Sequence, residues 1–269
     1  MTWGSTVEMV ADVQNWLTNP ASNLGWIILG NEGTSQTAKR VPSRENGNSA
    51  LRPQLIVEYI PATGPQTVEV RPSRDTTIYD DATLANGAGE WVFAGVTRVG
   101  AIRRALMMFD LTGAVPAGAT IDSAALTLTV SQSSTGEQPI SLYEMLTAWS
   151  VGASDAETNE GKGAVALPGD ATWESTGLGG TWGTAGGDHA PTPLATTPVA
   201  ATGTTPSWGS EGELIALVQR WVNEPASNHG VLLIGNEEAK HTAKRFDALE
   251  NISGFPEPHP PILTIEYTP

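Results

Sequence analysis

Two stretches of the chain carry apolar side chains at helical spacing, and each stretch follows a Ser-x-x-Glu sequence. The apolar positions are Val10, Val13 and Leu17 in the first stretch and Leu214, Val218 and Val222 in the second. Ser5 with Glu8, and Ser210 with Glu213, match the capping box, in which the serine accepts from an early backbone N–H and the glutamate reaches back. Asn19-Pro20 and Glu224-Pro225 end the two patterns. The pattern predicts one short helix in each stretch.

Shorter apolar patterns predict β-strands. A continuous apolar run follows each helix, at Trp26–Leu29 and Val231–Ile234, and is typical of a buried strand. The runs Leu55–Tyr59 and Ile262–Tyr267 alternate apolar with polar residues, as a half-buried strand does. Between the two helical stretches, five further strands are predicted within the sequences DTTIYDD, GEWVFAGVT, RRALMMFDL, SAALTLTV and ISLYEML.

The similarity of the two stretches extends into an internal repeat. The sequence WGSTVEMVADVQNWLTNPASN from Trp3 returns as WGSEGELIALVQRWVNEPASN from Trp208, and the likeness continues to the last strand. We therefore predict a partial module at 1–61 that matches the C-terminal portion of the repeat, a linker at 62–67 and a complete module at 68–269. The strands and one short helix per tail unit predict an all-β fold, an antiparallel β-sandwich of jelly-roll type.

Composition and charge narrow the class of protein. The 269 residues include 29 glycines and 19 prolines, which suits a turn-rich β architecture. No run of 18 apolar residues is present, so we expect no membrane span. The net charge of −15 disfavours nucleic acid as a partner. The chain has no cysteine, which excludes disulfides and thiolate metal sites but is compatible with export.

Several segments together resemble the DNRLRE-domain family. They are RDTTIYDD, GEWVFAG, RRALMMFDLTGAVPAGATIDSAALTLTV, PGDATW, and the tail sequence that includes AKR and SRENGNSALRPQLIVEY. The resemblance covers 68–269 over nearly its whole length and 1–61 as a tail only. It implies a non-catalytic extracellular or cell-surface β-sandwich related to carbohydrate-binding modules. In the complete module Arg44-Glu45-Asn46 becomes Leu249-Glu250-Asn251, so a role for Arg44 does not carry over.

The ligand candidates are cations near the end of the repeat and tryptophans in its long loop. Lys244 and Arg245 follow Asn236, and Lys39 and Arg40 hold the same places in the partial module, where Arg44 is added. Arginine can grip uronate or sulfate groups with two hydrogen bonds, although an internal ion pair of Arg245 with Glu250 or Asp247 is the alternative. The loop 150–206 carries Trp173 and Trp182, whose faces could stack on a sugar or instead anchor the loop. Trp91 and Trp149 are further stacking candidates.

Acidic turns are candidates for a structural calcium ion. One group is Asp75, Asp80 and Asp81, and the other is Asp155, Glu157 and Asp170, with Glu160 nearby. Calcium takes six to eight oxygen ligands, which acidic loops supply from side chains and carbonyls. Solvated surface carboxylates are the alternative, because no EF-hand spacing is present.

We expect no catalysis, because the four histidines lack metal-ligand spacing and no nucleophile motif occurs. The sequence therefore predicts an extracellular module that binds a polysaccharide, an anionic one by preference, or a cell-surface matrix. The alternative is a structural subunit of an extracellular fibre or surface assembly, joined by strand or tail complementation.

The partial module is too apolar to remain solvated on its own. It could be a fragment of a longer tandem protein, a cap on the complete module, or a means of self-association through residues 1–61. We expect it to be covered by another chain.

Overall fold

The structure is a computed structural model that describes residues 2–60, 64–209, 212–251 and 259–269, with only the backbone of Asn159. The chain divides into an N-terminal unit, Met1–Ile60, and a C-terminal unit, Pro61–Pro269. Across the described residues, no helix has the length and apolar character needed to cross a membrane.

The N-terminal unit contains one α-helix, α1 at Val7–Thr18. Its N-cap is Thr6, whose side chain accepts a hydrogen bond from Met9 N at 3.2 Å, so the prediction that Ser5 caps the helix was wrong by one residue. Asn19-Pro20 ends the helix as expected, since proline cannot continue the backbone hydrogen bonding. Two 3-10 turns, Pro20–Ser22 and Ser49–Leu51, complete the regular structure of this unit among residues 2–60.

The two strands predicted in the N-terminal unit are not formed. Trp26–Leu29 and Leu55–Tyr59 have no strand assignment, and none of the described residues from 2 to 60 is buried. A strand requires a neighbour to receive its backbone hydrogen bonds, and no other strand is described in this unit. The apolar pattern therefore identifies segments that are suited to a β-strand but form none without a neighbouring strand.

The C-terminal unit is built from strands and one α-helix, α2 at Glu213–Asn223. Gly212 is its N-cap and provides no side-chain hydrogen bond, and the predicted cap Ser210 lies outside the described residues. The strands are β1 (Gln66–Val70), β2 (Arg74–Tyr79), β3 (Leu84–Ala85), β4 (Trp91–Val96), β5 (Ile102–Met108), β6 (Thr120–Thr127), β7 (Val130–Ser133), β8 (Gln138–Glu144), β9 (Ala164–Val165), β10 (Ala195–Val199), β11 (Ser207–Gly209), β12 (Val231–Ile234), β13 (Lys244–Asp247) and β14 (Ile262–Thr268).

Two antiparallel sheets enclose the main core of the C-terminal unit. One has the order β1-β14-β6-β11, and the other has the order β10-β8-β12-β5-β4-β13-β7, with β2 also paired to β5. Strands β3 and β9 form a separate short pair. The prediction of an all-β antiparallel sandwich with one short helix in each tail unit is confirmed.

The core receives residues from both sheets and from one face of α2. Trp208 of the first sheet meets Phe246 of the second edge to face, with ring centroids 6.1 Å apart. The helix buries Leu214, Leu217, Val218 and Trp221 against this core. Each such side chain contributes about 1.5–3 kcal/mol by leaving water. The opposite, outward side of β4, β13 and β7 is left to form a surface.

Candidate functional site

A groove lies on the outward side of three neighbouring strands, and we call it the β4–β13 groove. Arg245 on β13 is in register with Phe93 on β4 and with Gln132 on β7, so the three side chains form a row across the sheet. Two adjoining cavities of about 400 and 180 Å³ share this row and the backbone of Gly161. Trp91 lies at one end of the groove and His241 at the other.

Arg245 is held in a defined orientation within the groove. Its guanidinium lies 4.1 Å from the centre of the Trp91 ring, and its Nε donates to Ser131 Oγ at 3.0 Å. Burial lowers the pKa of Arg245 from its usual value, which still leaves an arginine charged at neutral pH. A guanidinium has five N–H donors, so donors remain for an anion. Glu250 and Asp247 are not among its partners in the described ion pairs, but the nearby charges of Asp247 and Glu160 raise the pKa of Arg245 against the effect of burial.

Cationic and polar residues form the rim of the groove. Arg98, in the loop between β4 and β5, and Lys162, at the end of a 3-10 helix, are exposed lining residues. His241 has a positive φ of 66° and its Nε2 lies 2.8 Å from Ser134 Oγ, which ties the β12–β13 turn to the loop after β7. Such a backbone is costly for a residue other than glycine and must be supported by its surroundings. The part of the rim at His241 is therefore a well-defined turn.

Gly95 permits the close approach of strand β4 to this turn. A Cβ at Gly95 would stand 2.9 Å from the Ala243 Cα, and its φ of +114° is itself a glycine conformation. Any larger residue would push β4 away from residues 242–243 and open the groove.

Glu160 is the carboxylate that lines the groove, and its oxygens are used internally. Oε2 accepts from Asn86 Nδ2 and from Trp91 N, both at 2.9 Å, and Oε1 accepts from Glu90 N at 3.0 Å. Burial raises the pKa of Glu160 despite these bonds. The hydrogen bonds pin the 3-10 helix Glu157–Lys162 over β4 and so carry Lys162 to the rim.

Lys244, predicted as a ligand residue, points into the protein. Neighbouring residues of a strand face opposite sides, so Arg245 faces outward while Lys244 faces inward. The buried ammonium contacts Ser133 Oγ and Gly136 O at 2.7 Å and Ala200 O at 2.8 Å. Burial lowers its pKa. In this structure Lys244 ties three segments of backbone together.

The other predicted ligand residues of the C-terminal unit lie away from the row. Asn236 donates to Gln138 Oε1 at 3.0 Å, and its neighbour Glu237 forms two 2.8 Å hydrogen bonds with Arg104. Arg104 in turn lies 4.8 Å above the ring of Trp173, which is half-buried. Trp182 is buried and donates to Thr172 O at 2.8 Å. These residues anchor the long loop on the sheet.

Two remaining stacking candidates differ in their surroundings. Trp149 is fully buried and donates to His229 O at 2.9 Å, whereas Trp91 is half-buried at the groove beneath Arg245. The three candidates in the N-terminal unit are all exposed, and Arg44 pairs with Glu45 at 2.9 Å.

The predicted calcium ligands are distributed over separate parts of the C-terminal unit. Asp80 pairs with Arg103 at 3.2 Å, and the exposed carboxylates of Asp81 and Asp155 cap their own turns. Glu157 has a positive φ of 50°, and Asp170 accepts from Leu167 N at 2.6 Å. Within the ranges that the structure describes, no group of three or more histidine or acidic side chains is placed to hold a metal ion.

Asp75 faces another carboxyl group instead. Its Oδ2 accepts from Leu249 N at 2.8 Å, while Oδ1 is buried without a donor among the described residues. Burial and the nearby charge of Glu250 raise the pKa of Asp75, and burial raises that of Glu250. A shared proton between the two carboxyls satisfies this arrangement.

Sequence reasoning missed most of the groove. Alternation along β4 places Trp91 and Phe93 on the same side, which was a usable signal. The contributions of Gln132, Arg98 and Lys162 depend on pairing between distant strands and on the position of the 3-10 helix, which no local pattern encodes. The row of side chains across β4, β13 and β7 therefore exists only in the folded protein and could not be found from local sequence patterns.

Comparison with known proteins adds no relative to this picture. No protein-family model matches the chain, and no curated protein sequence is significantly similar to it. The candidate site therefore stands on its geometry: an arginine fixed on a tryptophan, an aromatic side chain beside it, and two further cations at the rim.

Proposed function

We propose that the C-terminal unit is a non-catalytic, extracellular carbohydrate-binding module of the DNRLRE type, and that its β4–β13 groove binds an anionic polysaccharide. The observation that carries this proposal is the charge of the groove lining. Arg98, Lys162 and Arg245 line it, although the chain as a whole has a net charge of −15. A local cationic site on an acidic protein selects for anionic groups placed at that site.

The fixed position of Arg245 suits a carboxylate or sulfate group. The contacts with Trp91 and Ser131 limit the guanidinium to few orientations, so less conformational entropy is lost when it binds. A planar guanidinium can bind an anionic group through two parallel hydrogen bonds. Arg245 would therefore recognise one charged sugar unit.

The remaining lining residues suit a chain of sugars. Phe93 supplies an apolar surface next to Arg245, and Gln132 supplies an amide on the other side. Arg98 and Lys162 lie in the two separate cavities that share the row, so they extend the cationic lining in both directions. A repeating anionic polymer presents charges at regular spacing and can reach all three cations.

Binding without catalysis is proposed because of the state of Glu160. Glycoside hydrolysis uses two carboxyl groups facing the scissile bond. Glu160, the carboxylate of the groove lining, is committed to Asn86 and to the backbone of Glu90 and Trp91.

Affinity electrophoresis of the full chain tests this proposal. Native gels would contain alginate, pectin or a neutral glucan, each with and without calcium at about 0.15 M ionic strength. We expect slower migration in at least one anionic gel and unchanged migration in the neutral gel. Unchanged migration in every gel would overturn the proposal.

A second candidate function is supported by the exposed apolar side chains of the N-terminal unit. Trp3, Ile28 and Leu55 all lie largely in solvent. Surfaces of this kind mark protein–protein contacts. We propose as this alternative that the chain is a structural subunit of an extracellular assembly, joined to its neighbours through residues 2–60.

Light scattering measures the simplest form of this second function, the self-assembly of identical chains. Loss of assembly on deletion of residues 2–60 would support it. A monomer with and without these residues would exclude self-assembly of the chain alone.

A further inference from the structure

The N-terminal unit and the end of the C-terminal unit share a helix and the turn after it at equivalent positions of the repeat. The helices α1 and α2 are each followed by a Pro-Ala-Ser 3-10 turn, at Pro20–Ser22 and Pro225–Ser227. We call residues 207–269 the tail segment and residues 66–206, which precede it, the front segment. Residues 3–59 repeat the tail segment and contain no counterpart of the front segment.

Equivalent residues differ in what covers them. Trp208 is 0% exposed and its counterpart Trp3 is 55% exposed, while Leu233 is 0% exposed and its counterpart Ile28 is 66% exposed. In the C-terminal unit the front segment supplies the strand partners of such residues: Leu233 pairs with Ala105 of β5 and with Leu142 of β8. The repeat therefore shows which surface fits the apolar side of the N-terminal unit.

Three of the four strands of the tail segment lie in the interior of the sheets. Strand β12 lies between β8 and β5, β13 lies between β4 and β7, and β14 lies between β1 and β6, whereas β11 pairs with β6 at an edge. The six neighbours of the three interior strands all come from the front segment. A front segment without a tail is thus a sandwich with three vacant interior strand positions and one vacant edge position.

The strand positions of the tail segment show which of two partners the N-terminal unit could join: a second copy of the chain or a front segment without a tail. A second copy of the chain has its three positions filled by its own tail segment, so residues 2–60 could enter only by displacing it. A front segment whose positions are vacant requires no displacement, and it offers backbone partners to segments that form no strand in the N-terminal unit.

We propose that the N-terminal unit is one half of a split β-sandwich, and that its partner is a polypeptide with the pattern of residues 66–206 and no tail of its own in place. Trp26–Leu29 would take the position of β12, Lys39–Val41 that of the first three residues of β13, and Leu55–Tyr59 that of β14. The proposal specifies the partner of the second candidate function, on which it rests, and is independent of saccharide binding.

One buried position of α2 is occupied by a charged residue in α1. Buried Leu217 of α2 corresponds to Asp12 of α1, whose Oδ2 accepts from Trp26 Nε1 at 2.7 Å. A carboxylate facing the core of the present front segment would weaken docking. Asp12→Leu should therefore strengthen the fit between the N-terminal unit and this front segment.

The test lengthens the full chain by a second copy of residues 64–206 placed before residue 2. Amide hydrogen exchange is measured at Trp26–Leu29, with Val231–Ile234 as the internal standard. We expect exchange at Trp26–Leu29 to slow by at least about a hundredfold relative to the chain without the added copy, and further with Asp12→Leu. The lengthened chain with Ile28→Asp should lose this protection while Val231–Ile234 keeps its own.

Equal exchange rates at Trp26–Leu29 in the chains with and without the added copy, with and without Asp12→Leu, would overturn the proposal. Protection of these amides through self-assembly of the chain without the added copy would also overturn it, although that result would support self-assembly as such. Neither result bears on the groove, whose failure would appear only in the polysaccharide gels.

Discussion

Gln36 and His241 occupy equivalent positions of the repeat and have the same left-handed backbone, with φ of 64° and 66°. The residue after each is a threonine whose Oγ1 donates to an asparagine carbonyl oxygen at 2.5 Å, from Thr37 to Asn31 and from Thr242 to Asn236. The turn at His241 joins two strands, whereas the turn at Gln36 joins none. The residues of the turn are therefore sufficient to form it, whereas the strands form only where neighbouring strands are present.

Substitution of equivalent residues in the two copies of the repeat should change the free energy of unfolding by different amounts. Leu233→Ala should lower the free energy of unfolding by about 2–5 kcal/mol, because it leaves a cavity in the core. Ile28→Ala should change it by less than about 0.5 kcal/mol, since Ile28 is exposed. Urea unfolding of both variants measures the difference, and equal losses would show that Ile28 is buried in solution.

Removal of the buried ammonium of Lys244 should destabilise the C-terminal unit. Lys244→Met removes the charged donor that Ser133 Oγ, Gly136 O and Ala200 O share in a partly buried site, and a hydrogen bond to a charged group contributes about 1.5–3 kcal/mol. We expect a loss of more than about 2 kcal/mol in the free energy of unfolding. The exposed Lys240→Met should cost less than about 0.5 kcal/mol. Similar values for the two variants would show that Lys244 has no such structural role.

The Asp75–Glu250 pair should make stability fall as the pH rises. Burial raises the pKa of both carboxyls in the folded state, and the charge of Glu250 raises that of Asp75 further. A group with a raised folded pKa contributes stability fully below its unfolded pKa, and that contribution is lost as the pH rises through the folded pKa. Unfolding measured from about pH 4 to about pH 8 should include this loss.

Asp75→Asn isolates the contribution of the pair. The asparagine keeps an acceptor for the Leu249 N–H and gains a donor towards Glu250. The difference in stability between wild type and variant should therefore change with pH in favour of the variant as the pH rises. A difference that is constant over this range would contradict the shared proton.

The sequence predicts elements well where their strand partners are present in the chain. Alternation and apolar runs located β5, β6, β12 and β14, and helical spacing located both helices. The same reasoning failed at Trp26–Leu29, because a strand depends on neighbours that a local pattern does not contain. Serine and threonine both suit the N-cap position, so residue type alone does not distinguish Ser5 from Thr6.

The site was less predictable than the fold. Arg245 was found from its charge, but Lys244 beside it was assigned to the ligand although strand alternation places it on the opposite side. Register across β4, β13 and β7 brings Phe93 and Gln132 to Arg245. Neither residue has a local feature that distinguishes it from other strand residues.

The central claim is that Arg98 and Arg245 bind anionic sugars, and calorimetric titration of the full chain with an oligouronate tests it most directly. Arg98→Ala with Arg245→Ala should weaken binding by at least about tenfold, since a hydrogen bond to a charged group contributes about 1.5–3 kcal/mol. The matched variant, Arg71→Ala with Arg220→Ala, removes the same charge outside the groove lining and should bind within about twofold of wild type. An equal loss of affinity in both double variants, or no binding by the wild type, would contradict the account.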